Sequence, residues 1–306
     1  MSNNKNANLT RAKQVKNDEY YTLYEDIEKE MQVYLDYNPD VLRGKTVLCP
    51  CDDPDWSNFT RYFMDNFKTL GLKRLTSTCI AANGDRRGKW LVMDKDGVRR
   101  GVLQGTGDFR TEEIREYRDQ ADVIVTNPPF SLLRAFVFWI MEAKKQFLIV
   151  GNLNTMCSKF IFPYYLNGSM RVGYNHIKYF TVPVKGEKQL KGMGFSYWFT
   201  NLPARQKPTV PLSKLVNIMQ NSKYNNIQRG RYLKTYNNID AVEVPSIRLI
   251  PADYDGAMGV PINFFPLLSP DQFELLGRSL WDTAIDGKRV YQRIIIRLRQ
   301  PATSSN

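Results

Sequence analysis

Histidine is nearly missing from this chain: His176 is the only one in 306 residues. That scarcity removes Ser-His-Asp and Cys-His nucleophilic mechanisms, and metal sites built from several histidines. Cysteine is also sparse. Cys49, Cys51, Cys79 and Cys157 do not make a disulfide framework, and the Cys49-x-Cys51 spacing is too tight for the common zinc-ligand pairs. All four are expected as reduced thiols, with no metal. Long apolar runs are absent as well. The nearest, Phe136 to Ile140, lies between Arg134 and Glu142, so no bilayer-spanning segment is expected. The N-terminus lacks an apolar signal core, which makes cytoplasmic residence the expectation.

Acids are missing from two stretches. Residues 1–16 are Asn-rich and carry Lys5, Arg11, Lys13 and Lys16 with no acid, the composition of a flexible basic arm. Residues 203–240 carry Arg205, Lys207, Lys214, Lys223, Arg229, Arg231 and Lys234 against one acid, Asp240. Tyr224, Tyr232, Tyr236 and several Asn are interleaved with them. Basic, amide and aromatic side chains together suit phosphate contact and base-edge readout. The formal charge of +12 points the same way, toward a polyanionic partner and most simply nucleic acid.

Apolar periodicity then gives the elements. A helix is expected from Leu23 through Met31, and a first strand at 45–51. The Asp52-Asp53-Pro54-Asp55 turn follows, with Asp55 as N-cap of a helix running through Phe59, Phe63 and Phe67 to Gly71. Strands follow at 73–80 and, after a β-hairpin turning at Asp96-Gly97, at Val123–Val125. Between these last two, Thr111 opens a short helix with acids in its first turn. A helix over Ser131–Lys145 leads to a strand at Gln146–Asn152. Alternation of this kind implies an α/β fold with a doubly wound, mostly parallel sheet. Gly194–Asn201 reads as an aromatic strand able to pair antiparallel with it. Near the end, Ser269-Pro270-Asp271-Gln272 has the form of a capping box opening a helix over Gln272–Leu276 that stops at Gly277. Arg289–Arg299 reads as a final basic strand.

The most informative stretch is Asp122-Val-Ile-Val-Thr-Asn127-Pro128-Pro129-Phe130. Two prolines supply no backbone N–H and fix φ, so the strand must stop. The Asn127 side chain and nearby carbonyls are then left at a strand's carboxyl end, where open α/β sheets bind ligands. The quartet Asn127-Pro128-Pro129-Phe130 resembles the motif with which amino-methyltransferases acting on nucleic-acid bases end their fourth strand. The chemistry suits it. Adenine N6 and cytosine N4 are weak nucleophiles because their lone pairs delocalise into the ring. Asn127 Oδ1 and the Pro128 carbonyl can accept both amino hydrogens and draw the nitrogen toward sp³ geometry, while Phe130 stacks on a base that has left the duplex.

Five segments together resemble the EcoRI-type adenine-specific DNA methyltransferase family. They are Asp18-Glu-Tyr-Tyr21-Thr22, Cys51-Asp52-Asp53-Pro54 with Ser57-Asn58-Phe59, Gly107-Asp108-Phe109, Val125–Ser131, and Asp253–Pro261. The resemblance covers the chain from about Lys16 to the C-terminal strand and thins between residues 155 and 245. It implies a Rossmann-like class I catalytic domain over 17–203, with 1–16 as a basic arm and 204–306 as target-recognition region and C-terminal part. It also implies N6-methylation of adenine in duplex DNA with S-adenosylmethionine, by base flipping, in a restriction–modification or related system. Cofactor contacts fall on Asp18, Tyr21, Thr22, Pro50, Cys51, Asp52, Asp53, Asp108, Phe109 and Asn127. Asp108 would take the exocyclic amine of the cofactor's adenine, and Phe109 would pack its ring. DNA contacts fall on Lys207, Lys214, Lys223, Arg229, Arg231 and Lys234.

The usual glycine-rich first loop of such enzymes is replaced by Cys49-Pro-Cys-Asp-Asp-Pro54, and the second strand ends Thr78-Cys-Ile-Ala-Ala82 without an acid for the ribose. An RNA adenine, a protein glutamine amide, or DNA recognition without catalysis are the competing readings. A separately acting endonuclease and a monomeric state are compatible with the sequence.

Overall fold

The computed structural model describes residues 21–81, 85–184, 187–216, 234–279 and 282–299. The basic arm, Asp18, Lys223, Tyr224, Arg229, Arg231 and Tyr232 lie outside the described residues. The chain divides into two compact units, one drawn from Met1–Thr155 and Gly173–Ala204, the other from Met156–Val172 and Arg205–Asn306.

The first unit is built on a nine-stranded sheet in the order β1-β8-β9-β7-β6-β2-β3-β4-β5. Its centre is parallel. β2 (Thr46–Cys49) lies between β3 (Arg74–Cys79) and β6 (Val123–Thr126), and β6 continues to β7 (Gln146–Asn152). Every residue of β2 and β6 is buried. A parallel sheet covered on both faces calls for such unbroken apolar and β-branched runs. Val47, Val123, Val125, Leu148 and Val150 pack with Ile27, Met31 and Tyr34 of helix α1 (Tyr24–Tyr37) and with Phe59 and Phe63 of α2 (Asn58–Asp65). The alternate residues Leu48, Ile124, Phe147 and Ile149 are equally buried, as the two-residue repeat of a strand covered on both faces requires.

Antiparallel strands extend both sides, giving a mixed sheet. β4 (Lys89–Asp94) and β5 (Gly97–Val102) form the expected hairpin, with Gly97 at φ +108° opening the return strand opposite Asp94. β9 (Glu187–Thr200) pairs antiparallel with β7, and β8 (Arg171–Val184) carries β1 (Tyr21–Thr22) on its far side. α1 is tied to β8 by a buried acid. Glu30 accepts from Tyr34 Oη (2.8 Å), Tyr174 N (2.9 Å), Asn175 N (2.8 Å) and Asn175 Nδ2 (2.8 Å). A carboxylate with four donors can stay buried without an ion pair.

Two local expectations fail. Asp55 is not the N-cap of α2. Ser57 is, its Oγ accepting from Phe59 N at 3.0 Å, while Asp55 takes Lys89 Nζ and Arg100 Nη1, each at 2.8 Å. The helix ends at Asp65, and turns carry the chain to Gly71. The predicted helix at 272–276 is instead strand β12 (Phe273–Arg278), paired antiparallel with β15 (Arg293–Leu298). Gln272 does not close a capping box. Its amide grips the Val210 backbone, accepting from N at 2.9 Å and donating to O at 2.7 Å. Gly277 sits at a register shift in that pairing rather than at a helix end.

In the second unit β10 (Val242–Glu243), β11 (Met258–Pro261), β15 and β12 make a four-stranded sheet. Its buried polar core is Arg293, Glu243 and Tyr236: the guanidinium reaches Glu243 Oε1 at 2.6 Å, and Tyr236 Oη donates to Glu243 Oε2. Among the described residues no helix is long and apolar enough to cross a membrane.

Candidate active site

β6 ends where its sequence says it must. Thr126 is the last strand residue, and Pro129 begins a 3₁₀ turn over Phe130–Leu132, its carbonyl accepting from Leu132 N at 2.9 Å. The turn passes into helix α4 (Leu133–Glu142), a shorter helix than the expected Ser131–Lys145. Pro128 is buried, and Asn127 and Phe130 are half-buried. The Phe130 ring meets Phe180 edge-on at 6.2 Å. Phe180 in turn pairs with Thr22 across β8 and β1. The quartet and the Tyr21-Thr22 segment, more than a hundred residues apart in sequence, therefore share one edge of the sheet.

The Asp52 side chain ties the Cys51–Pro54 turn to the strand end just before the quartet. Asp52 is buried beyond the end of β2. Its carboxyl accepts from Ser57 Oγ at 2.6 Å and from Thr126 Oγ1 at 2.5 Å, so it binds the α2 cap to the residue just before Asn127. Burial pushes this carboxyl up to about 7, against the pull of the two hydroxyls and with a smaller upward contribution from Asp53. Its backbone is fixed as firmly: Asp52 N donates to Thr78 O at 2.9 Å and Ser77 Oγ donates to Asp52 O at 2.8 Å. Thr78 Oγ1 reaches the Pro50 carbonyl at 3.3 Å. Asp53 orders the turn by accepting from Asp55 N at 2.8 Å. The Cys51 side chain is partly exposed, and the surrounding protein, with Asp52, pushes its thiol well up.

β1 is held to this turn by Asn58, whose Nδ2 donates to Thr22 O at 2.8 Å. Thr22 Oγ1 is buried and has no hydrogen-bond partner among the described residues.

Past β3, two glycines allow the backbone to fold tightly. A Cβ at Gly107 (φ +78°) would stand 2.2 Å from the Cys79 carbonyl oxygen, and one at Gly88 would stand 2.3 Å from it. Ala81 N donates to Thr106 O at 2.7 Å. The Gly107-Asp108-Phe109 segment is thereby laid beside the end of β3. Asp108 is engaged there by Arg110, with Nε at 2.9 Å and Nη2 at 2.5 Å. Phe109 is buried, edge-on to Phe136 at 5.0 Å and Trp139 at 5.7 Å of α4.

Of the DNA-contact candidates, Lys214 is exposed in a 3₁₀ turn at Leu212–Lys214. Lys207 donates to the Pro266 carbonyl at 2.6 Å, and Lys234 pairs with Asp286. Tyr236 is 5% exposed and serves the Glu243–Arg293 cluster, so it is not part of a readable aromatic surface. It also accounts for Gly259, where a Cβ would strike the Tyr236 ring. The Asp253–Pro261 segment thus divides. Met258–Pro261 is strand β11, whereas Asp255, Gly256 and Ala257 line an open polar cavity of about 740 Å³ with Asp240, Glu274 and Arg297.

Ser57 and Thr126 are the functional partners that sequence reasoning did not assign. Ser57 carried a cap signal before Asn58-Phe59, and Thr126 was the one polar residue closing an apolar strand.

The profile of the family described as adenine-specific methyltransferase EcoRI matches residues 8–293. The chain is similar to Type II methyltransferase M.EcoRI of Escherichia coli, with 35% identity over 328 residues, covering 94% of this chain and 95% of the relative. It is similar to Type II methyltransferase M.MpnI of Mycoplasma pneumoniae at 34% identity, covering 95% of this chain and 98% of the relative. Type II methyltransferase M.MgeORF184P of Mycoplasma genitalium is 31% identical, with 95% and 99% covered. No solved structure matches the chain. With the quartet at the end of β6 and matches of this extent, the chain belongs to the EcoRI family of adenine-specific methyltransferases.

Proposed function

We propose that this enzyme methylates adenine N6 in duplex DNA, using S-adenosylmethionine on a Rossmann-like class I scaffold, as the modification activity of a restriction–modification or related system. The observation that carries this reading is the Thr126–Asp52 hydrogen bond, which joins the strand end just before the quartet to the Cys-Asp-Asp-Pro turn at the carboxyl ends of adjacent parallel strands. That is where α/β sheets gather a nucleotide-like ligand. The donor set suits such a ligand: an unpartnered buried Thr22 hydroxyl, a turn bearing Asp52 and Asp53, and a tight glycine segment ending in Asp108. Tyr21, Thr22, Pro50, Cys51, Asp52, Asp53, Asp108 and Phe109 would hold the cofactor, with Asp18 from the preceding segment. When bound, S-adenosylmethionine supplies a methyl group made electrophilic by its sulfonium.

The chain's own part is orientation. Asn127 Oδ1 and the Pro128 carbonyl accept the two amino hydrogens of adenine and aim the nitrogen lone pair. The proline pair fixes those acceptors, and Asp52, through Thr126, fixes the strand end that carries them. No histidine base is needed. The amino group becomes acidic only as its nitrogen gains the methyl group, and its proton then leaves to solvent. Phe130 offers a ring edge to an adenine brought out of the stack. Residues 17–203 would carry catalysis and 204–306 target recognition, with Lys207 and Lys214 among the phosphate contacts.

The test is transfer of radiolabelled methyl groups to duplex DNA, RNA and protein offered separately, followed by nucleoside analysis. N6-methyl-2′-deoxyadenosine from DNA is expected; label in RNA or protein but not DNA overturns the proposal.

A further inference from the structure

β8 and β9 carry a surface that neither the quartet nor the 203–240 stretch accounts for. Thr126 is opposite Ile149, Ile149 is opposite Phe199, and Asn152, the last residue of β7, is opposite Ser196. Phe195 therefore stands just past the carboxyl end of β7, on the same edge of the sheet as Asn127–Phe130. From the neighbouring strand, Phe180 touches Phe130 itself. This hairpin flanks the catalytic edge.

Its exposed side chains are unusual for a soluble surface. Tyr179 is 51% exposed, Leu190 65% and Phe195 44%. Lys178 and Lys191 are exposed among them, and the His176 ring stacks on Tyr197 at 4.7 Å with 24° between planes. Phe195 has the further peculiarity of φ +64°. A left-handed backbone at a bulky residue costs roughly 1–2 kcal/mol. Gly192 and Gly194 lie in the same strand and could take such a φ freely, yet neither does. Burial offsets only part of the cost, because the residue is 44% exposed. Strain held at an exposed aromatic beside a reactive edge is the pattern of a contact side chain. Exposed rings and lysines on these two strands offer what contact with a nucleic-acid strand requires: stacking or apolar contact to bases, and cations for phosphates.

We propose that the β8–β9 hairpin is a DNA-contacting surface of this enzyme, in which Phe195 presses on bases beside the target adenine and Lys178 and Lys191 meet the flanking phosphates. The proposal rests on duplex DNA being the substrate. The +12 formal charge of the chain and the continuity of the hairpin with the quartet favour that occupant.

The test uses the full chain and a fluorescein-labelled duplex bearing the sequence that the wild type is found to methylate. Phe195→Gly removes the ring and relieves the φ penalty. Its thermal midpoint is expected to equal or exceed that of the wild type, while its Kd for the duplex rises at least about tenfold and S-adenosylmethionine binding is unchanged. The double variant Lys178→Ala/Lys191→Ala, altered only at exposed positions, is expected to flatten the slope of log Kd against log salt by about 2. A Phe195→Gly protein with a lowered midpoint and wild-type DNA affinity would show a packing role and overturn the proposal, as would an unchanged salt slope in the double variant. If the wild type methylates DNA and both variants match it, only the hairpin role fails. If the wild type methylates no DNA, the functional reading fails and takes the hairpin role with it.

Discussion

Replacing Asp52 by Asn should change how stability depends on pH, by an amount the structure sets. Asp52 is buried, with two hydroxyl donors and, among the described residues, no ion pair, and its carboxyl is raised from 3.8 to about 7. A carboxyl raised in the folded state holds its proton there after the unfolded chain has released it. The stability associated with it is complete below about pH 4 and is lost as pH climbs to about 7. At 1.36 kcal/mol for each unit, the full loss is about 4 kcal/mol, of which about 3 kcal/mol falls between pH 5 and pH 8. Asn keeps the shape and can bond both hydroxyls, because Ser57 and Thr126 can each turn to donate or accept. The assay is urea unfolding of wild type and Asp52→Asn at pH 5, 6, 7 and 8. The variant should gain on the wild type by about 3 kcal/mol across that range, with other acids cancelling in the difference. A flat difference curve would refute the claim that burial dominates at Asp52.

Other substitutions test neighbouring links. Asn127→Ala should keep the fold and DNA binding and lose most turnover in a methyl-transfer assay; wild-type turnover would remove its role as amino-hydrogen acceptor. Thr126→Val deletes a hydrogen bond that lowers the Asp52 carboxyl, so the upper end of the pH range over which stability falls should move upward while its onset stays in place, and cofactor affinity measured by calorimetry should weaken. Glu30→Gln leaves two of the donors on Glu30 facing an amide NH₂ and should cost about 3 kcal/mol in chemical denaturation. Lys234→Ala removes a cation already paired with Asp286, so the salt slope of DNA binding should change less than for Lys214→Ala.

The strand stop before Asn127 was legible because its signals are local. Val-Ile-Val followed by Pro-Pro can end only as a strand stop, and the structure ends β6 at Thr126. The parallel strands at 46–49, 123–126 and 146–152 were readable for a similar reason, since strands buried on both faces are mostly apolar or β-branched, whereas the strand at 74–79 buries Thr76, Ser77 and Thr78. Local signals misled where a distant partner outbid them. Ser269–Gln272 has the sequence of a helix cap, but Phe273–Arg278 gains a full ladder with β15, and Gln272 finds the Val210 backbone. Tyr236 looked like part of a basic, aromatic reading surface until Glu243, Gly259 and Arg293 enclosed it.

By itself the sequence determined the reaction class, because the match over residues 8–293 that shows the family is a match of residue types and their order. It also determined the polyanionic bias, since net charge is additive and needs no fold. Tertiary structure decided everything that depends on two distant segments meeting. Asp52 became a raised carboxyl only by being buried past the end of β2, where Ser57 and Thr126 hold it, Asp108 was set beside β3 by glycines that tolerate a carbonyl at close range, and Phe195 came to the edge of Asn127 through strand register. Desolvation and hydrogen bonding fall off within a few ångströms, so their partners are fixed by the packed chain and not by spacing along it.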